Sequence, residues 1–244
     1  MNVVTIIQAR MGSTRLPGKV LMDIGGQTML ARVVRRASRA TLVNQTVVAT
    51  TTLSEDDVIV RECGSLGVFR GSPIDVLDRY CRAQRKFGAD VIVRITADCP
   101  FIDPEVINHV VYAFLERDID YASNTIYRSY PRGLDIEVMT SKALLSAEMG
   151  ANQHLEREHV TPFIYMHPDR FRLYPVYRTE DDSDNRWTVD TSEDLAFARA
   201  VYSLFGNQDD FRWMDVLGAL KDHPEIVALN AQIRQKSLTG GEKC

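Results

Sequence analysis

The first hundred residues alternate short apolar runs with helix-forming stretches, and that rhythm admits few architectures. Strands are expected over 3–8, 45–50, 67–69 and 90–95, with helices near 29–39, 55–64 and 74–87 between them. Repeated strand–helix–strand units predict an α/β fold with a mainly parallel sheet covered by helices on both faces. Val91-Ile92-Val93 is continuously apolar, as a central strand buried on both faces must be. A helix over 104–116 follows, with Asp103 as cap and Pro104 in its first turn.

The turn after the first strand carries the chemistry. Ile6-Ile7-Gln8-Ala9-Arg10-Met11-Gly12-Ser13-Thr14-Arg15-Leu16-Pro17-Gly18-Lys19 packs glycines, hydroxyls and the cations Arg10, Arg15 and Lys19 into one strand-to-helix connection. Such turns hold polyphosphates, because glycines let backbone N–H groups converge and Arg or Lys supplies the neutralising charge. An ATPase P-loop does not fit. That motif needs four residues between its first glycine and the Gly-Lys pair, then Ser or Thr for magnesium, whereas five residues separate Gly12 from Gly18 and Val20 follows Lys19.

The turn resembles the signature of the 3-deoxy-manno-octulosonate and acylneuraminate cytidylyltransferases, matching it through Ala9-Arg10 and Ser13-Thr14-Arg15-Leu16-Pro17-Gly18-Lys19. A fuller resemblance is to the spore coat polysaccharide biosynthesis protein F family. It runs through Val48-Ala49-Thr50-Thr51, Phe69-Arg70-Gly71, Asp75-Val76-Leu77-Asp78-Arg79, Arg94-Ile95-Thr96-Ala97-Asp98-Cys99-Pro100, Glu158-His159-Val160-Thr161-Pro162 and Thr188-Val189-Asp190-Thr191, so it spans nearly the whole chain. The resemblance implies a three-layer, Rossmann-like nucleotidyltransferase fold in a single domain over 1–244. It also implies an inserted acceptor and dimerisation segment at about 120–180, CTP as nucleotide, Mg2+ as cofactor and a homodimer.

Nucleotidyl transfer needs a neutralised triphosphate, a divalent metal and an aligned acceptor oxygen. Arg10 and Lys19 are the candidates for gripping the β- and γ-phosphates and stabilising the leaving pyrophosphate, with Arg15 assisting; Ala9, Gly12 and Ser13 complete the nucleotide loop. Asp98, just past the central strand, and Asp190, after the short apolar run Trp187-Thr188-Val189, are the candidate metal carboxylates, since magnesium prefers oxygen ligands. Asp190 also reads as part of a helix N-terminus. Thr50, Thr51, Arg70 and Gly71 are candidates for reading the base. Asp75, Asp78 and Arg79 either touch ribose or base or serve the helix they open, and Thr96-Ala97 stands where the octulosonate enzymes carry Gln-Gly, so Arg94 and Thr96 are expected to face a different acceptor or nucleotide edge.

In the alternating segment Gly133-Leu134-Asp135-Ile136-Glu137, a half-buried strand would aim Asp135 and Glu137 to one face. The resemblance places Arg132 and the Glu156-Arg157-Glu158-His159 segment near an anionic acceptor, with His159 either a base toward its hydroxyl or a structural helix residue. Further expectations are a strand near 134–139, two helices, a strand near 171–175, a return to the sheet at 187–189 and a helix over 192–205. A helical extension at about 206–236 would contain helices near 213–221 and 225–234.

Composition narrows the partners. The chain has 244 residues, 45% of them hydrophobic, and a net charge of -4, which argues for one sizeable core and against a nonspecific nucleic-acid surface. The expected partners are CTP and a small anionic acceptor. Cys63, Cys81, Cys99 and Cys244 show no paired spacing, and neither a signal peptide nor a membrane-length apolar run is evident, so a cytoplasmic protein is expected. Two rival classes remain. A nucleotide-sugar-dependent glycosyltransferase of the same fold would hold its metal with Asp-x-Asp, which Asp98-Cys99-Pro100 is not; a nucleotide-binding regulator would not need so complete a site.

Overall fold

The computed structural model describes residues 1–235. Strand β1 (Val3–Gln8) is buried at its first five positions, so it has no solvent face and needs partners on both edges and layers on both sides. It finds parallel partners in β4 (Gln45–Thr51) and β6 (Val91–Thr96). Two two-residue strands, β2 (Asp23–Ile24) and β3 (Gln27–Thr28), form a separate hairpin around Gly25-Gly26 that the periodicity did not predict. Beyond β4 lies parallel β5 (Gly67–Gly71), and beyond β6 lie β8 (Glu137–Thr140), β7 (Tyr121–Ser123) and β9 (Leu173–Pro175). The sheet order is β5-β4-β1-β6-β8-β7-β9, with β8 antiparallel to both neighbours. The sheet is mainly parallel, as expected.

The order turns at β1, which has β4 on one edge and β6 on the other. Open α/β sheets bind ligands in the crevice such a reversal leaves at the carboxyl ends of the strands. Here Gln8 is level with Ala49 and Thr96, so three strand ends finish together beneath the glycine-containing turn.

Alternation along β1 sends Ile7 to one core and Ile6 to the other. Ile7 packs with α1 (Met29–Ala37), α2 (Asp57–Cys63), α4 (Pro104–Leu115) and α8 (Ser192–Leu204) through Val33, Ile59, Val110 and Ala198. Ile6 packs with α3 (Val76–Phe87), α5 (Ser141–Gly150) and α7 (Pro162–Tyr165) through Leu77, Leu144 and Phe163. Both isoleucines are fully buried, and each stabilises the fold by roughly 2 kcal/mol. The short helix α6 (His154–His159) leads into α7, while α9 (Trp213–Asp222) and α10 (Pro224–Val227) close the described chain. The caps follow the sequence: Thr28 accepts from Ala31 N–H, Asp103 from Glu105 N–H, and Thr191 and Asp194 form a reciprocal capping box.

Three expectations are corrected. The run 134–139 joins the ladder only from Glu137, because the Asn124 side chain substitutes for a strand: its amide donates to Leu134 O (2.7 Å) and accepts from Ile136 N–H (2.9 Å). The run 187–189 is extended but is no sheet strand. Its N–H groups go to two loops instead, Trp187 to Arg132 O (2.7 Å) and Val189 to Asp98 O (2.8 Å), leaving one isolated bridge between Arg132 and Arg186. The helix expected over 225–234 stops at Val227. Asn230 is drawn inward there, donating to Arg186 O and Asp194 Oδ1 at 3.0 Å each. The end of the expected extension, and Cys244, lie outside the described residues. Among those residues no helix is long and apolar enough to cross a membrane.

Candidate active site

The turn after β1 is braced from below. Thr51 donates to Asp56, whose other carboxylate oxygen accepts the Met11 N–H at 2.7 Å. Gly18 then turns the chain at φ +70°, a conformation glycine adopts without strain, and starts the single 3-10 turn that carries Lys19 inward. Lys19 is the centre of the site. Its Nζ donates to Asp98 Oδ2 at 2.8 Å, Asp190 Oδ1 at 2.8 Å and Val189 O at 2.9 Å. Burial works against its charge, but the two carboxylates more than compensate and hold its pKa above the ordinary lysine value. Asp98 shows the converse: burial would raise its pKa, yet Lys19 and the Thr96 hydroxyl (2.6 Å) hold it below the usual range.

Asp190 is more heavily paired. Its Oδ2 meets Arg15 and Arg186, each at 2.9 Å. Arg186 in turn is clamped by buried Asp194, which also accepts the N–H groups of Asp190 and Thr191. Asp190 is therefore positioned by the start of α8, so the ligand and helix-terminus readings describe one arrangement. Among the described residues no cluster of three or more His, Cys, Asp or Glu could hold a metal.

Arg15, Lys19, Asp98 and Asp190 line a cavity of about 330 Å³ together with Ala9, Arg10, Gly12, Ser13, Thr14 and Thr96. Arg10 is exposed and makes no ion pair among the described residues. A second cavity of about 500 Å³ adjoins it through Thr96 and His159 and is lined by Arg94, Arg128, Arg132, Asp135, Glu137 and Thr161. Arg128 grips Asp135 through two bonds of 2.6 and 2.8 Å, while Arg132 has no ion-pair partner among the described residues. Glu137 is fully engaged: Tyr121 (2.6 Å) and Thr161 hydroxyls donate to one oxygen and Arg94 to the other.

His159 lines both cavities, and burial lowers its pKa, favouring the neutral imidazole. The next residue, buried Val160, has φ +74° and ψ -54°, closed by a Thr161 N–H bond to His159 O (2.9 Å). A β-branched residue in that conformation stores about 1–3 kcal/mol of strain and fixes the direction of its neighbours. Cys99, beside Asp98, is buried, and that burial together with Asp98 pushes its thiol well above the ordinary range, the opposite of an activated nucleophile.

The predicted site residues thus divide. Ala9, Arg10, Gly12, Ser13, Arg15, Lys19, Thr96, Asp98 and Asp190 share the first cavity, and Arg132, Asp135, Glu137 and His159 share the second. Thr50, Thr51, Arg70, Gly71, Asp75 and Arg79 line neither. The Arg70 guanidinium is consumed by Thr51 O, Leu53 O and Asp57, and Asp75 caps α3 and pairs with Arg157. Gln8, Thr14 and Arg128 line the cavities without having been singled out as site residues, while Arg94 lines the second beside Thr96. Arg94 meets Glu137 only because β6 and β8 pair at that register, and Arg128 meets Asp135 across the loop before β8, so neither pairing follows from the spacing in sequence.

Fold and site together define a nucleotidyltransferase. Residues 4–215 match the model of the family described as Cytidylyltransferase, and the chain belongs to that family. It is 33% identical to the spore coat polysaccharide biosynthesis protein SpsF of Bacillus subtilis, over 92% of this chain and 96% of that protein. It is 39% identical to the 3-deoxy-manno-octulosonate cytidylyltransferase of Trichlorobacter lovleyi, over 47% of this chain and 46% of that one. The solved structure of a cytidylyltransferase from Leptospira borgpetersenii superposes with a TM-score of 0.91 at 34% identity, covering 96% of this chain and all of that one.

Proposed function

We propose that the chain transfers CMP from CTP to a small anionic acceptor, releasing pyrophosphate, in surface polysaccharide or glycan biosynthesis. The acceptor is a sugar acid of the nonulosonate type or a phosphate-bearing sugar or polyol. One observation carries this reading: Lys19 joins two carboxylates on the wall of a cavity that also holds Arg15 and the free guanidinium of Arg10. Arg10, Arg15 and Lys19 neutralise the triphosphate and the charge that builds on the departing pyrophosphate. The acceptor oxygen forms a bond to the α-phosphorus while the bond to the pyrophosphate oxygen breaks.

Arg132 supports an anionic acceptor in the adjoining cavity, since burial beside Arg128 leaves its charge in need of a partner. His159 supports a proton-accepting role toward the acceptor hydroxyl, because it lines both cavities as a neutral imidazole. Mg2+ fits the donor set. Asp98 and Asp190 already direct one oxygen each at a single cation, the Lys19 ammonium, and magnesium takes one or two carboxylates with phosphate oxygens and water. Bound there, it would supply charge neutralisation on the phosphates.

A homodimer is part of the same reading. Tyr127 and Tyr177, exposed at 63% and 61%, pair edge to face within the inserted segment at about 120–180, an apolar surface suited to a second copy. Free thiols at Cys63, Cys81 and Cys99 accord with a reducing cytoplasm. The product tests the acceptor. Incubation with CTP, Mg2+ and a panel of sugar acids and sugar or polyol phosphates, followed by mass spectrometry, is expected to yield a CMP conjugate with one class alone. A monophosphate link identifies a sugar acid and a diphosphate link a phosphate monoester; no conjugate with either class rejects the proposal.

A further inference from the structure

Every oxygen of the two candidate metal carboxylates already has a partner. Asp98 Oδ2 and Asp190 Oδ1 both accept from Lys19 Nζ at 2.8 Å. Asp98 Oδ1 accepts from the Thr96 hydroxyl at 2.6 Å, and Asp190 Oδ2 pairs with Arg15 and Arg186 at 2.9 Å each. A divalent cation that bridges the two side chains through the first pair of oxygens must therefore displace the ammonium.

Of the cations in this cluster, Lys19 is the one free to swing. Arg186 is clamped by two bonds to Asp194, and its carbonyl accepts from Asn230. The lysine is a compact charge on a flexible four-carbon stem. Its backbone is fixed by the 3-10 turn after Gly18, while its side chain lines the same cavity as Arg10, Ser13 and Arg15. Charge supplies the reason to move. Lys19, Arg15 and Arg186 carry three positive charges against three negative ones on Asp98, Asp190 and Asp194, so the cluster is balanced. A divalent cation alone would add an unopposed double charge to a half-buried site, whereas a triphosphate brings the negative charge that both the cation and the ammonium need.

We propose that Lys19 is an interlock: its ammonium bars divalent cations from Asp98 and Asp190 until the phosphates of a nucleotide draw it away. Metal and triphosphate then bind as a linked pair, and by reciprocity each strengthens the other by the same factor. The inference rests on the Mg2+ and CTP readings above and adds the order in which the site fills and the residue that enforces it. The lysine that serves the leaving pyrophosphate thus also keeps the carboxylates from holding a metal with no nucleotide beside it.

The test reads metal binding without turnover. Mn2+, which shares magnesium's preference for octahedral oxygen, is titrated into the full chain with no nucleotide present, and the free ion is followed by electron paramagnetic resonance. Wild type and Lys19→Arg, which keeps the charge, are expected to bind weakly. Lys19→Met and Lys19→Gln, which remove it, are expected to bind Mn2+ more tightly by about tenfold or more. Adding Asp98→Asn to Lys19→Met is expected to cancel that gain, which locates the ion at these carboxylates. A folded neutral variant that binds Mn2+ no more tightly than wild type overturns the proposal, as does a gain that survives Asp98→Asn. So does a wild type that takes Mn2+ tightly with no nucleotide and loses it in Asp98→Asn, whatever the lysine variants do. A wild type for which calorimetry detects no CTP binding, with or without Mn2+, defeats the CTP reading instead, a separate outcome.

Discussion

Replacing Lys19 by methionine is expected to lower the rate of pyrophosphate release by about two to three orders of magnitude, the usual consequence of removing one preorganised donor to developing charge. The Nζ serves three oxygens within 2.9 Å and lies in a cavity with two further cations, so no neighbour stands where it does. Lys19→Arg is expected to recover less than about a tenth of the activity, because a planar guanidinium cannot reproduce one compact charge shared by three acceptors. Steady-state pyrophosphate assays on both variants check this, and wild-type rates in either would remove Lys19 from the mechanism. A pH effect follows from the same pair. Asp98 is held below its ordinary value, so its stabilisation is present above about pH 4 and lost as pH falls through the lower, folded value. Lys19→Met removes that contribution and is expected to make unfolding begin at higher pH in an acid titration.

The largest loss of stability is expected at Glu137. Its two oxygens satisfy Tyr121, Thr161 and Arg94, and Arg94 and Glu137 have side chains only 12% and 9% exposed. Burial alone would depress the Arg94 pKa, but Glu137 raises it above the ordinary value, which shows how firmly the charge depends on that carboxylate. Glu137→Leu leaves an uncompensated guanidinium and two hydroxyls without acceptors, at a cost of about 3–5 kcal/mol. The thermal midpoint of a chain this size is expected to fall by about 10 °C. Arg94→Leu combined with Glu137→Leu is expected to regain part of the loss, since the stranded charge goes with it. An unchanged midpoint in Glu137→Leu would contradict the account.

Local signals were legible where one segment decides the outcome. The apolar strand at 3–8, the cap Asp103 and the cations of the loop at 9–19 all depend on neighbours in sequence, and each is found where the pattern puts it. The rest depends on contacts between distant segments. Lys19 meets Asp98 and Asp190 across 79 and 171 positions, a bridge no spacing predicts, and the Asn124 amide that displaces a strand partner looks like any loop asparagine. Arg70 illustrates the converse. It lies at the end of a glycine-bounded strand as a base reader would, yet backbone carbonyls at Thr51 and Leu53 take its guanidinium first.

The most direct measurement is pyrophosphate release from each of the four nucleoside triphosphates in turn, with Mg2+ and the acceptor panel, in wild type and Asp98→Asn. The account predicts release with CTP, dependent on an acceptor and abolished in Asp98→Asn while the fold is retained. Silence with all four triphosphates, together with sugar transfer from a nucleotide sugar, would contradict it and assign the site to a glycosyltransferase.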